Sequence, residues 1–147
     1  MKKLLLPILF SFVLAACAHN PQTPRPNQPY LDAEKTIQSL PQDQFLVLND
    51  GTIYIGEIQN NNANGFGKLI SKDGSVYQGE VKNGQANGFG KSEMSTGESY
   101  EGEHQQGNFE GRGRLILSNG SAFIGTFKNN KAHRGQMFYT DGSTATN

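Results

Sequence analysis

An all-β repeat of short hairpins is the fold class that the sequence predicts, and three observations predict it. The element Tyr-x-Gly-Glu recurs as Tyr54-Ile55-Gly56-Glu57, Tyr77-Gln78-Gly79-Glu80 and Tyr100-Glu101-Gly102-Glu103, then weakened as Phe123-Ile124-Gly125-Thr126, each start 23 residues after the last. A fixed period of that length marks a repeat architecture rather than a single closed core. Asp50-Gly51, Asp73-Gly74 and Asn119-Gly120 stand between short strand-like runs. Such pairs favour a two-residue type I′ hairpin turn, because both central residues take positive φ. Finally, the last proline is Pro41 and the first glycine is Gly51, which divides the chain into an N-terminal tether and a C-terminal repeat domain.

The 147 residues leave room for one modest domain, and thirteen basic against thirteen acidic side chains give no electrostatic reason to expect nucleic acid as a partner. The chain opens with Lys2-Lys3, an apolar run from Leu4 to Leu14 broken by Pro7 and Ser11, and small residues before Cys17, the one cysteine. That order reads as an export signal, since the run is about half the ~20 residues that a spanning helix needs. Leu14-Ala15-Ala16-Cys17 resembles the bacterial lipoprotein processing site. The resemblance implies that residues 1–16 are a signal peptide and that Cys17 is lipidated as the first residue of the mature chain. Acyl chains at ~0.8 kcal/mol per buried methylene would then hold the protein on a bilayer. Ala18 stands where an aspartate would resemble an inner-membrane retention signal, so the outer membrane is expected, on its periplasmic side rather than the cell surface.

Residues 17–29 hold the lipidated cysteine and a proline-rich spacer with almost no apolar side chains, expected to be a disordered tether. At ~3.1 Å per residue it would lift the rest of the chain by ~35–40 Å. In residues 30–41, Tyr30, Ala33, Ile37 and Leu40 lie three to four apart, which predicts a short helix with one apolar face, ended by Pro41.

The repeat domain covers 45–147, with repeats starting near 54, 77, 100 and 123. With a two-residue turn at each Asp-Gly or Asn-Gly pair, Val47 faces Tyr54, Ile70 faces Tyr77, Ile116 faces Phe123 and Glu93 faces Tyr100. Leu46, Ile53, Ile55, Leu69 and Val76 then form one patch on the opposite face, and Leu115, Ala122 and Ile124 a second. The helix is expected either to cap one end of the repeat domain or to fray; it could cover one patch, and the other is the candidate for a partner or a second copy. Gly56, Gly79, Gly102 and Gly125 leave room for a neighbouring ring. Gly65-Phe66-Gly67, Gly88-Phe89-Gly90 and Gly111-Arg112-Gly113 permit a bend or bulge between repeats.

Tyr-x-Gly-Glu followed by Asn-Gly, Gly-x-Gly and Asp-Gly-Ser is similar to the MORN repeat over residues 45–147. The resemblance implies an open, elongated, single-layer antiparallel sheet of successive hairpins. It also implies scaffolding of protein partners, often self-association, and membrane lipid contact, with no catalytic motif and no cofactor. The family usually carries Trp after the Glu, where this chain has Ile58, Val81, His104 and Phe127, so a shallower aromatic groove is expected. The fourth repeat is degraded, Ala132-His133-Arg134-Gly135 being one residue short, and the strand after Asp141-Gly142 is barely present.

Tyr54, Phe66, Tyr77, Phe89, Tyr100 and Phe123 are the expected partner-binding face. The leading functional expectation is a lipid-anchored envelope module for protein interaction or scaffolding, with a binding module for envelope glycan or lipid headgroup as the alternative. Glu57, Glu80 and Glu103 repeat two strands apart, ~10 Å, too far to share one cation, and read as a solvated face. Glu93, Glu98, Glu101, Glu103 and His104 form the densest polar group; alternation splits it between faces, so no metal site and no enzyme is expected. His104 itself reads as an exposed or groove-lining residue.

Overall fold

The computed structural model describes residues 27–146. The expected signal peptide, Cys17 and the expected spacer as far as residue 26 lie outside the described residues. Helix α1 (Gln28–Ile37) is followed by ten strands: β1 (Phe45–Val47), β2 (Ile53–Gln59), β3 (Asn62–Ile70), β4 (Val76–Lys82), β5 (Gln85–Glu93), β6 (Ser99–Gln105), β7 (Asn108–Ile116), β8 (Ala122–Lys128), β9 (Lys131–Phe138) and β10 (Thr144–Thr146). They form one antiparallel sheet in strict chain order, each strand paired with the next. The fold is all-β and single-layered apart from α1. That helix begins two residues earlier than expected, with Pro29 in its first turn, and ends before Leu40, because proline is accommodated where no backbone donor is needed.

The Asp-Gly and Asn119-Gly120 turns are not the expected type I′ turns. At Leu48–Thr52 the Gly51 amide donates to the Leu48 carbonyl at 2.8 Å and the Leu48 amide to the Thr52 carbonyl at 2.9 Å. Of the central residues only the glycine has positive φ, and the same holds at Gly74, Gly97, Gly120 and Gly142. These are three-residue loops, a type I turn closed by a left-handed glycine. The Asp50 carboxylate accepts the Thr52 amide at 2.8 Å, an Asx interaction that keeps Asp50 out of the left-handed region. Type I′ turns sit instead at Asn60-Asn61, Asn83-Gly84, Gln106-Gly107 and Asn129-Asn130, where both residues have positive φ. Each later one leans on the hairpin before it: Gly84 N–H donates to Ala63 O at 3.0 Å, Gly107 to Ala86 at 2.9 Å and Asn130 to Phe109 at 3.1 Å.

The extra loop residue moves the register by one. Leu46 rather than Val47 faces Tyr54, Leu69 faces Tyr77, Ser92 faces Tyr100 and Leu115 faces Phe123. Since side chains alternate across a strand, this slip transfers the leucines to the ring face and puts Ile70 and Ile116 on the opposite one.

A row of glycines crosses the sheet: Gly56, Gly67, Gly79, Gly90, Gly102, Gly113, Gly125 and Gly135 pair in succession from β2 to β9. A Cβ on Gly67 would strike the Tyr54 ring, one on Gly90 the Tyr77 ring, and one on Gly113 the Tyr100 ring. Each ring therefore lies on bare backbone of its own repeat, not of the neighbouring one. The phenol hydroxyl then donates to the carbonyl three residues on in its own strand: Tyr54 to Glu57 at 2.8 Å, Tyr77 to Glu80 at 2.7 Å, Tyr100 to Glu103 at 3.0 Å. In a straight strand that carbonyl would be ~10 Å along, so the bond requires the strand to curl. A break in register after Gly56, Gly79 and Gly102 supplies the curl. Beyond it, Ile58, Val81, His104 and Phe127 close over the rings.

The core thus lies inside the curl. Its N-terminal part gathers Tyr54, Ala63, Leu69, Tyr77, Val81 and Ala86, and its C-terminal part Tyr100, Phe123 and Phe127 with Phe109, Leu115 and Met137. Tyr100 stacks on Phe109 at 3.9 Å between ring centroids. Gly90→Ala is expected to cost ~1–3 kcal/mol by forcing the Tyr77 ring off its seat. Urea unfolding measures this, and an unchanged midpoint would show that the ring does not need bare backbone beneath it.

Candidate functional site

The six expected partner-binding aromatics divide between the two faces. Tyr54, Tyr77, Tyr100 and Phe123 are 0%, 6%, 0% and 2% exposed and belong to the core. They cannot present rings to a partner, which corrects the sequence reading. The reason is the glycine row together with the curl, which draws the next residues of the chain over each ring. Phe66 and Phe89 point to the opposite face and remain 62% and 56% exposed. The paired glycines were the signal for this, since missing Cβ atoms on successive strands make a seat for something flat.

His104 is buried, not groove-lining. Its ring meets Tyr77 and Tyr100 edge-on, with centroids at 4.8 and 5.0 Å, and so joins the two parts of the core. Nδ1 lies 3.0 Å from the Gly102 carbonyl and Nε2 3.0 Å from Ser92 Oγ. A carbonyl only accepts, so Nδ1 carries the proton and Nε2 accepts from the Ser92 hydroxyl. Burial holds this imidazole below its ordinary value, against the opposing effect of the Gly102 bond. Burial, and then the nearby Glu80 and Glu103 charges, push the Tyr77 and Tyr100 phenols up to about 12. All three groups are neutral near pH 7.

The repeated glutamates are structural. A Cβ on Gly65, Gly88 or Gly111 would meet the Glu57, Glu80 or Glu103 side chain folded across it. Glu80 accepts the Phe89 amide at 3.3 Å and Glu103 the Arg112 amide at 3.1 Å. These carboxylates satisfy backbone donors at the register break and are not simply a solvated face. The rest of the Glu93 to His104 group is dispersed. Glu93 pairs with Lys91 at 2.6 Å, Glu98 accepts from Thr96, and Glu101 lies on the face opposite His104. Among the described residues no three His, Cys, Asp or Glu gather as a metal site would require.

The face opposite the rings carries the exposed phenylalanines, and it has three regions. At its N-terminal end α1 covers Ile53 and Ile70, with Ala33 buried between and Tyr30, Ile37, Ile55 and Val76 packed around. The Tyr30 hydroxyl donates to the Gly51 carbonyl at 2.9 Å. Next comes a shallow groove of about 800 Å³ along Phe66, Phe89, Lys68, Gln78, Lys91 and Glu101. At the C-terminal end Ile124 and Phe138 are 48% and 39% exposed, beside half-buried Ile116 and Ala122. Sequence reasoning placed Leu115 here and missed Ile116 and Phe138. The first error is the one-residue register slip. The second arises in the shortened fourth repeat, whose register break falls at Thr126 and Phe127, so that Phe138 pairs with Ala122.

Neutral His104 contributes stability that is complete above pH 6.5 and is lost as the pH falls through its lower folded value, because the unfolded chain binds the proton more readily. The wild-type melting temperature is therefore expected to drop as the pH is lowered from 6.5. His104→Phe removes most of that drop. Identical pH profiles for the two proteins would overturn the assignment.

A family model described as the MORN repeat matches residues 54–76, 77–99, 100–122 and 123–144. Among curated proteins, none matches the chain.

Proposed function

The chain belongs to the MORN repeat family, and on that premise we propose that it is a non-catalytic binding module of the bacterial cell envelope. In this reading a lipid on Cys17 holds it at the outer membrane, on the periplasmic side, and a protein partner docks on the uncovered C-terminal part of the helix face. One observation carries the docking. The apolar row that lies under α1 at Ile53 and Ile70 recurs on β7, β8 and β9 as Ile116, Ala122 and Phe138, and among the described residues nothing covers it.

The order of charge, apolar run and Leu14-Ala15-Ala16-Cys17 supports the anchor, and Ala18 supports the outer membrane. Two features of the core support a binding role over catalysis: His104 is only 4% exposed, and the buried phenols hold their protons well above pH 7. The phenols are therefore not activated nucleophiles, and the imidazole, closed in beneath its neighbours, offers a substrate no access.

Two measurements test the proposal. Cys17→Ser is expected to move the protein from the membrane to the soluble fraction and to abolish labelling by radioactive palmitate. A photoreactive residue at position 124 is expected to trap a discrete adduct in cells, while one at buried position 100 traps none. A soluble wild-type chain, or no adduct at position 124, would refute the anchor or the docking surface respectively.

A separate observation favours a second reading, the binding of envelope glycan or lipid headgroup. Phe66 and Phe89 stand two strands apart, ~10 Å, over a row in which Lys68, Gln78, Lys91 and Glu101 interleave hydrogen-bond donors and acceptors, a pattern suited to the flat faces and hydroxyls of sugars. Phe66→Ala with Phe89→Ala is then expected to abolish co-sedimentation with peptidoglycan. Its stability stays within ~0.5 kcal/mol of wild type, because both rings are on the surface. Retained sedimentation would remove this reading.

A further inference from the structure

The molecule itself shows what kind of object covers the C-terminal patch. Ile116, Ala122 and Ile124 stand three repeat periods beyond Val47, Ile53 and Ile55, and Phe138 pairs with Ala122 as Ile70 pairs with Ile53. The C-terminal patch is thus the N-terminal one carried along the sheet. At the N-terminal end its cover is α1, which lays Tyr30, Ala33 and Ile37, three and four residues apart, across Ile53 and Ile70. The dimensions agree: from β7 to β9 is ~10 Å, the diameter of a helix with its side chains, ~10–12 Å.

We infer that this patch is a docking site for an amphipathic helix of a partner protein. The inference rests on the reading of this face as a partner-binding surface and specifies the partner's shape. The one helix of the described residues is already seated on the N-terminal patch, and the occupant is assigned to another molecule. Its side chains follow from the differences between the patches. Ala122 stands where Ile53 does, so the helix residue nearest the sheet is larger than Ala33. Arg114 and Gln136 flank Ile124 on the adjacent strands, so an acidic or amide side chain on the helix edge complements them.

A stapled helical peptide of residues 27–40 carrying Ala33→Leu is the probe, titrated into the full chain and followed by fluorescence anisotropy. Saturable binding is expected, weakened about tenfold or more by Ile124→Asp and by Phe138→Asp. Phe66→Asp, on the same face outside the patch, leaves it unchanged. Ile124→Ala and Phe138→Ala serve if either aspartate variant fails to fold, as judged by circular dichroism. No saturation up to about 1 mM, or equal weakening by Phe66→Asp, would overturn the inference. So would binding of equal strength by an unstapled peptide with proline at its centre, since the patch would then take an extended chain. Concentration-dependent self-association abolished by Ile124→Asp would assign the patch to a second copy and also overturn it. An adduct trapped at position 124 without peptide binding leaves the docking surface standing and removes only the helical occupant.

Discussion

The seating of each tyrosine ring on bare backbone is the interaction on which the rest of the structure depends. A single sheet cannot bury either face by itself, and among the described residues this one has no second layer beyond a ten-residue helix. The sheet is instead made to curl. The ring occupies the space that two Cβ atoms would fill, its hydroxyl reaches the carbonyl three residues on, and the register break lets the strand bend to meet it. Once bent, each hairpin brings one side chain over the rings, Ile58, Val81, His104 or Phe127, and each later turn rests on the hairpin before. The glutamate of the repeated element completes the corner by capping amides that the break leaves unpaired.

That arrangement decides which face is available for function. Most of the ring face goes into making a core, and at its least apolar point Ser92 replaces the leucines and His104 makes one hydrogen bond at each ring nitrogen. On the opposite face the strands bend away, and among the described residues only α1 folds over it. Helix α1 covers its N-terminal end, and the remainder carries the exposed phenylalanines and the C-terminal patch. A protein built this way holds its recognition surface on a backbone already fixed by the core behind it, so binding requires little further ordering.

Much of the fold could be read from the residues. The 23-residue spacing of the tyrosines, the turn pairs and the glycines was enough for a chain-order hairpin sheet, and the apolar spacing of Tyr30, Ala33 and Ile37 was enough for a helix that covers part of it. The site was less legible for a single reason. Asp50-Gly51 and Asn83-Gly84 look alike as dipeptides, yet one closes a three-residue loop and the other a two-residue loop. The difference is one residue of register, and in a strand one residue is the whole difference between inside and outside.

The sequence by itself therefore determined the repeat, the number of hairpins and the residue types that each contributes, because these depend on local spacing and turn chemistry. Only the tertiary structure decided that the tyrosines are core and Phe66 and Phe89 surface, that His104 bridges two halves of one core, and that the glutamates cap backbone. Each of those outcomes depends on what the neighbouring strand places beneath or above a side chain. The glycine that seats Tyr77 lies thirteen residues further along, at Gly90, and nothing local to the tyrosine shows which way its ring turns.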